Sequence, residues 1–129
     1  ENDLILWQVD FSGDGLNEGD FQYFSNVDEL QLYYSNLSAI GANAFVGLNN
    51  IITIDLSDNE IATIDSLAFT GIATVRSIKL SGNKLTSLSV NMFQSLPNLQ
   101  EVHLNRNVNL NESDLESLRE NYPGVNFIY

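Results

Sequence analysis

The sequence predicts an α/β solenoid with a parallel sheet of about six short strands on its concave face, closed at the C-terminal end by a helix and a strand. Two observations predict it. Three blocks of 24 residues, beginning at Val27, Ile51 and Val75, align without a gap. Each block opens with alternating apolar and polar residues, the pattern of a short strand with one buried face. No block can bury that face alone, so we expect the blocks to stack.

The repeated positions assign a structural role to each part of a block. Apolar residues recur at block positions 1, 4, 6, 11, 14, 19 and 22; in the middle block these are Ile51, Ile54, Leu56, Ile61, Ile64, Phe69 and Ile72. Position 19 holds Phe45, Phe69 and Phe93, which we expect to form a core spine on the convex side.

Position 9 holds an asparagine in most blocks: Asn59, Asn83 and Asn107. A side-chain amide has two donors and an acceptor, so it can bridge backbone groups of adjacent coils at the bend after each strand. The first block has Ser35 at this position, with Asn36 beside it, so we expect a weaker ladder there.

These blocks resemble the leucine-rich repeat family, whose pattern is LxxLxLxxNxL followed by a variable segment. The phenylalanine at position 19 is similar to the 24-residue typical subtype found in animal extracellular proteins such as Toll-type receptors, small leucine-rich proteoglycans and lamprey antigen receptors. The resemblance implies a non-catalytic binding protein that acts outside the cell. It covers the chain from about residue 6 to its end.

The ends are predicted to cap the solenoid. Leu6, Val9 and Phe11 fit positions 1, 4 and 6, Leu16 fits position 11, and Phe21 fits the spine, so the first repeat would be shortened to 21 residues. The residues Leu4, Ile5 and Trp7 would cover the open end.

At the other end, Ser113 and Glu116 form a capping box that opens a short helix, with Leu115 and Leu118 on one face. The residues Tyr122, Val125 and Phe127 then repeat the spacing of positions 1, 4 and 6, which indicates a last strand ending at Tyr129.

A single domain over residues 1–129 is therefore expected: an N-terminal cap and short repeat (1–26), three repeats (27–50, 51–74 and 75–98), and a C-terminal repeat and cap (99–129).

Charge is distributed unevenly along the chain. The net charge is −12, and no Lys or Arg precedes Arg76, so the acidic excess lies in the first 75 residues. Nucleic acid and anionic membranes need a cationic surface and are poor partners for that part. No apolar run is long enough to span a bilayer.

The sequence shows no catalytic or metal constellation. It has no cysteine and a single histidine, His103, and it lacks nucleophile-elbow, P-loop and dinucleotide motifs. We therefore expect no enzyme activity and no cofactor. The sequons at Asn36 and Asn111 are compatible with secretion, but the composition yields as many by chance.

The segment Asp10–Asp20 (DFSGDGLNEGD) resembles a calcium loop, but Phe21 stands where an EF-hand loop needs a bidentate Glu. We favour a repeat turn there, with a calcium-responsive domain as the less favoured alternative.

The exposed side of the sheet is the expected binding surface. Its candidate residues are acidic or aromatic on the N-terminal strands and basic on the C-terminal strands: Asp10, Glu29, Gln31, Tyr33, Tyr34, Asp55, Asp58, Arg76, Lys79, His103 and Arg106. Tyr33 and Tyr34 are the expected anchors, because tyrosine is large, stiff and amphipathic.

This split face predicts a protein or peptide partner with a cationic patch, in immune or receptor-type recognition by resemblance. The same split is self-complementary about a two-fold axis, so a structural, self-associating matrix or adhesion protein is the alternative, as a monomer or weak homodimer. The charges could also be a solvated face with cross-strand pairs, and the tyrosines could reflect strand propensity.

Overall fold

The computed structural model describes residues 2–7 and 15–129, which form a solenoid of parallel coils. The strands are β1 (Asp3–Trp7), β2 (Glu29–Tyr33), β3 (Ala39–Ile40), β4 (Thr53–Asp55), β5 (Thr63–Ile64), β6 (Ser77–Lys79), β7 (Glu101–His103) and β8 (Asn126–Ile128). The helix α1 spans Glu112–Asn121.

The main sheet confirms the predicted architecture. Its six strands are all parallel, in the order β1-β2-β4-β6-β7-β8. Equivalent block positions lie opposite each other, as in the pairing of Leu30 with Ile54 and of Ile54 with Ile78. Positions 4 and 6 point into a continuous core, so the alternate positions line the outer surface of the sheet.

A second, two-stranded sheet forms where each coil turns towards the convex side. Strands β3 and β5 pair in parallel, with Ile40 opposite Ile64, and Leu16 forms a single bridge to Ile40. The period-24 pattern placed these residues in the core without predicting that they would pair as strands.

The asparagine ladder is confirmed, and its donors have the same geometry in each coil. The Asn83 Nδ2 group donates to the carbonyls of Leu56 and Leu80 at 3.0 Å, and its Oδ1 accepts from the Ile61 N–H. Asn107 forms equivalent bonds. Asn59 donates in the same way, but its Oδ1 accepts from the Ser35 N–H at 2.9 Å as well as from the Leu37 N–H at 3.4 Å, and all three side chains are buried. Each amide therefore satisfies backbone groups of its own coil and of the preceding coil.

The phenylalanine spine is also confirmed. Phe21, Phe45, Phe69 and Phe93 stack in one column, with centroid separations of 6.0, 5.6 and 5.7 Å between successive rings. All four are buried. Such ring pairs contribute roughly 0.5–1.5 kcal/mol beyond the area they bury, so the column ties successive coils together.

The C-terminal cap is a helix followed by a strand, as expected, with two local differences. The N-cap is Asn111, whose Oδ1 accepts from the Ser113 and Asp114 N–H groups, so the helix begins before the predicted capping box at Ser113. An asparagine at this position serves as well as a serine, and it precedes Ser113 in the chain.

The last strand also differs in register from the prediction. Phe127 lies opposite Val102, at position 4 rather than position 6, because the Val125 N–H bonds to the Tyr122 carbonyl and forms a turn before β8. Leu115 and Leu118 lie within α1, and both side chains are buried, as predicted for its apolar face.

The N-terminal coil corrects the predicted register. Leu4 and Leu6 lie opposite Leu30 and Leu32, so Asp3 rather than Gln8 takes position 3, and Leu16 pairs at position 14 rather than 11. The predicted pattern of Leu6, Val9 and Phe11 is therefore wrong at Leu6, while Val9 and Phe11 lie outside the described residues.

Two alternations of apolar residues compete in this segment, and the structure uses the earlier one. The run from Asp3 to Trp7 is rich in large apolar side chains and free of glycine, which favours a strand there. From Leu16 to Phe21 the first coil has the same spacing as from Ile40 to Phe45, so its convex side is not shortened.

Candidate functional site: the concave face of the sheet

The outer side chains of the main sheet form rows that run across the strands. The row at position 5 contains, in order, Ile5, Gln31, Asp55, Lys79, His103 and Ile128. It changes from acidic to basic between Asp55 and Lys79, as the sequence predicted. Of the other predicted residues, Asp10 lies outside the described residues, and Arg76 is exposed at the rim.

Tyr33 and Asp55 form the polar centre of the N-terminal half. The Tyr33 hydroxyl donates to Asp55 Oδ2 at 3.1 Å, and Asp55 Oδ1 accepts from the Ser57 N–H at 3.0 Å. Burial, followed by the negative charge of Asp55 and this hydrogen bond, raises the pKa of Tyr33 to about 12. The phenol is therefore held protonated, and its ring is fixed in one orientation on the face.

A shallow pocket of about 430 Å³ lies at this end of the face, lined by Ile5, Tyr33, Tyr34 and Asp58. Ile5 is 56% exposed and Tyr34 58% exposed, so both present apolar surface to solvent. The pocket spans three coils, because Ile5 belongs to β1, the tyrosines to the end of β2, and Asp58 to the bend after β4. It combines a largely apolar lining with a carboxylate on one side.

Position 8 has left-handed backbone geometry in each of the four repeats from β2 onwards. The φ angles are 50° at Tyr34, 59° at Asp58, 69° at Gly82 and 62° at Arg106. L-residues pay a conformational cost for this geometry, and glycine pays least. The bend after each strand therefore points the position 8 side chains over the same edge of the concave face.

Within this row, Asp58 and Arg106 form an ion pair that passes over Gly82. Arg106 Nη1 donates to Asp58 Oδ1 at 2.9 Å, although the two residues belong to coils separated by a third. A Cβ atom at Gly82 would stand 2.4 Å from Asp58 Oδ1 and 2.8 Å from Arg106 Nη1. The glycine leaves the space in which this pair forms.

The remaining polar and charged side chains of the face are either paired with one another or unpaired. His103 Nε2 contacts Glu101 Oε2, Gln31 Nε2 donates to Glu29 Oε2, and Ser81 Oγ donates to Asn105 Oδ1 at 2.6 Å. Among the residues that the structure describes, neither Lys79 nor Arg76 forms an ion pair. The basic half of the face therefore keeps two cations available.

Sequence reasoning missed two features of this site. Ile5 lines the pocket, although it was expected with Trp7 to cover the open end; both lie in β1, in which Trp7 is opposite Tyr33 of β2. The alternation of exposed Asp3 and Ile5 with half-buried Leu4 and Leu6 was the available signal. The Asp-Gly-Arg column at position 8 was visible in the aligned blocks, but its ion pair was not foreseen.

The part of the chain that the structure describes holds neither a metal cluster nor a membrane-spanning helix. Residues 2–7 and 15–129 contain no group of three or more His, Asp or Glu side chains that could hold a metal ion. Within the same residues, no helix is long and apolar enough to cross a membrane.

The repeat geometry agrees with a comparison of sequences. The family described as Leucine rich repeat matches residues 14–61, 25–85 and 53–108, which together cover most of the chain. The chain belongs to the leucine-rich repeat family. No curated protein matches the chain in sequence.

Solved structures of other leucine-rich repeat proteins share this fold. Human 5T4, also called trophoblast glycoprotein, superposes with a TM-score of 0.78 over 98% of this chain and 48% of its own, at 21% identity. The TLR13 chain in its complex with ssRNA13 gives 0.77 over 92% of this chain and 17% of its own, at 22% identity.

Drosophila Toll, solved in complex with Spatzle, gives a TM-score of 0.63 over 78% of this chain and 14% of its own, at 26% identity. The present leucine-rich repeat chain thus spans less than half the length of each of these three structures. The family and the fold support a protein-binding module.

Proposed function

We propose that this leucine-rich repeat domain binds a protein partner through its concave face, with the pocket of Ile5, Tyr33, Tyr34 and Asp58 as the anchoring site. One observation carries the proposal: exposed aromatic and aliphatic surface is concentrated beside a fixed carboxylate on an otherwise small and polar face. Aromatic anchors in pockets with a polar rim are the usual centres of binding energy in protein interfaces.

The charge distribution supports a protein rather than a nucleic acid as the partner. Residues 1–75 contain no Lys or Arg, so the coils that form the pocket offer no cation of their own to a phosphate backbone, and Arg106, which reaches Asp58 from a later coil, is already paired. The acidic residues around Tyr33 favour a partner with a cationic patch, and charges of opposite sign at the far end would set its orientation.

We extend the proposal to immune or receptor-type recognition outside the cell. Its support is the similarity to Toll, which is solved with Spatzle and described as a hub in development and innate immunity, and to TLR13. Asn36 and Asn111, the two sequon asparagines, are exposed, so a glycan can be accommodated at either side chain. Expression in secreting animal cells and mass spectrometry of the two asparagines would test the extracellular part.

Removal of both anchors tests the binding function. Once a partner has been captured from the native source and purified, we expect Tyr33→Ala combined with Tyr34→Ala to weaken its affinity at least about tenfold. Tyr23→Ala is the matched control, because Tyr23 is 86% exposed and lies in a turn of the first coil, away from the sheet. Wild-type affinity in the folded double variant would refute the concave face as the binding surface.

Self-association remains the second candidate, because Arg76 and Lys79 in the basic half form no ion pair with any described residue and lie opposite an acidic half. Two copies related by a two-fold axis would bring these halves together. Analytical ultracentrifugation at low and high salt distinguishes the candidates: a salt-sensitive dimer supports self-association, and a monomer under all conditions rules it out.

A further inference from the structure

We infer that the pocket at the N-terminal end of the concave face binds an arginine side chain flanked by an apolar residue, and that Arg106 competes for the same carboxylate from within the chain. The inference rests on the proposed function and specifies what the partner must present. It is carried by the position of Asp58, which lines the pocket and also holds Arg106.

The carboxylates near the pocket differ in their availability. Asp55 is buried, and both of its oxygens already accept hydrogen bonds, from the Tyr33 hydroxyl and the Ser57 N–H. Glu29 accepts from the Gln31 side chain. Asp58 uses only Oδ1, towards Arg106, so among the described residues Oδ2 is the available acceptor in the pocket lining.

The rest of the lining suits the remainder of an arginine side chain. Tyr33 and Tyr34 present aromatic rings, on which a planar guanidinium stacks better than an ammonium does. Ile5 and the exposed part of Tyr34 offer apolar surface to a neighbouring aliphatic residue of the partner. The negative charges of Glu29, Asp55 and Asp58 all act on Tyr33, so they favour a cation at this end of the face.

Arg106 acts as an intramolecular counter-ion at this site. Its guanidinium reaches Asp58 through a single nitrogen and is itself largely exposed, so the pair is weak enough for a ligand to replace or share it. A partner arginine therefore meets an Asp58 carboxylate whose negative charge is already partly offset by Arg106. Removal of the Arg106 charge is expected to strengthen binding of the ligand, whereas a residue that contacted the ligand favourably would weaken binding on removal.

Two short peptides test whether the pocket recognises the charged guanidinium group of arginine. Acetyl-Leu-Arg-Leu-amide and the same peptide with citrulline in place of arginine differ in charge but hardly in shape. In NMR titrations at low salt, we expect the arginine peptide to shift the amide resonances of Tyr33, Tyr34 and Asp58 in a saturable manner. The citrulline peptide should bind at least about fivefold more weakly. Equal binding of the two peptides, or shifts confined to other surfaces, would overturn the inference.

Three variants test the role of each charge. Asp58→Asn, which keeps a residue suited to left-handed geometry, should reduce arginine-peptide affinity to that of the citrulline peptide. Arg106→Gln should increase the affinity at least about threefold. Lys84→Gln is the matched control, because Lys84 loses the same charge but pairs with Glu60 outside the pocket. Equal gains in peptide affinity for Arg106→Gln and Lys84→Gln would show that the effect comes from net charge alone, and would refute competition between Arg106 and the ligand for Asp58.

The native partner separates this inference from the broader function. If the paired tyrosine substitutions abolish partner binding while Asp58→Asn and Arg106→Gln leave it unchanged, the concave face is the binding surface and the arginine site is wrong. If none of these variants changes partner binding, the proposed function itself fails.

Discussion

Arg106 donates to Asp58 across the backbone of Gly82, with 2.9 Å between Nη1 and Oδ1. The two residues belong to coils that are not adjacent, and the coil between them contributes a glycine at the same block position. Most contacts in a solenoid join adjacent coils, whereas this ion pair links two coils across a third on the outer surface of the sheet. It exists because the middle coil has no side chain at that point.

Substitution of Gly82 should therefore cost more than loss of the ion pair. Gly82→Ala imposes left-handed geometry on a residue with a Cβ and brings that atom against both charged side chains. We expect a loss of about 2 kcal/mol in the free energy of unfolding, measured by chemical denaturation, against less than about 1 kcal/mol for Arg106→Gln.

Gly19→Ala is the control for Gly82→Ala, because Gly19 has φ of +96° and open space around it. It should cost about 1 kcal/mol from backbone geometry alone. If the two alanine variants lose equal stability, close contact at Gly82 contributes nothing.

Removal of a ladder asparagine should be strongly destabilising. Asn83→Ala leaves the Ile61 N–H without its buried side-chain acceptor and removes one of the two side-chain donors to the Leu56 carbonyl, and we expect a loss of roughly 2 kcal/mol in the free energy of unfolding. Asn98→Ala is the comparison, because Asn98 also bridges to the preceding coil but is exposed. It should cost less than about 1 kcal/mol. Similar losses in denaturation experiments would contradict a special role for the buried ladder.

Stability at high pH should depend on Tyr33. Its pKa of about 12 in the folded protein exceeds the ordinary value of 10.0, so the contribution is fully present below pH 10 and is lost as pH rises towards 12. Tyr33→Phe should remove this component of the pH dependence. The difference in phenolate absorbance between wild type and Tyr33→Phe isolates the titration of Tyr33.

Asp55→Asn supplies the second arm of that experiment. Because the Asp55 charge is the largest cause after burial, its removal should lower the midpoint of the Tyr33 titration. A wild-type Tyr33 midpoint at the ordinary tyrosine value would show that the phenol is not held by Asp55.

Asn111 and Ser113 distinguish the observed helix cap from the predicted one. Asn111→Ala should lower the free energy of unfolding by about 1 kcal/mol, because it removes the acceptor for the Ser113 and Asp114 N–H groups. Ser113→Ala should cost less than half as much. The opposite order in thermal or chemical unfolding would restore Ser113 as the N-cap.

Tyr34 should show a conflict between stability and binding. An aromatic residue with a φ of 50° has an unfavourable backbone geometry, whereas asparagine tolerates this geometry well. Tyr34→Asn should raise the free energy of unfolding by roughly 0.5–1 kcal/mol while it weakens binding at the pocket. A variant that is less stable than wild type would show that Tyr34 is retained for packing.

Much of this fold follows from spacing alone. The three in-register blocks predicted the strands, the ladder formed by Asn59, Asn83 and Asn107, and the phenylalanine spine, because each role recurs at a fixed block position with the same chemistry. A repeated pattern makes such a prediction secure, because the same assignment of roles to block positions must fit every block.

The ends were harder to predict because they lack that repetition. At the N-terminus both Leu4–Leu6 and Val9–Phe11 show the spacing of a strand, and no ladder asparagine selects between them. At the C-terminus the turn before β8 changes the register of Phe127. Ion pairing between Asp58 and Arg106 was not predictable from the pattern, because it depends on side-chain reach across an intervening coil.

The ladder also has a direction. Asn59, Asn83 and Asn107 each accept from a backbone N–H in the bend of the coil before, so each of these three bends depends on the coil that follows in sequence. After Asn107, the last ladder asparagine, the Tyr129 hydroxyl donates to the Asn107 carbonyl at 3.2 Å. The side-chain acceptors of the bends are therefore supplied from the C-terminal direction. Loss of coils from that end would leave backbone N–H groups unsatisfied one bend at a time, whereas loss from the N-terminal end would leave the acceptors of the remaining bends in place.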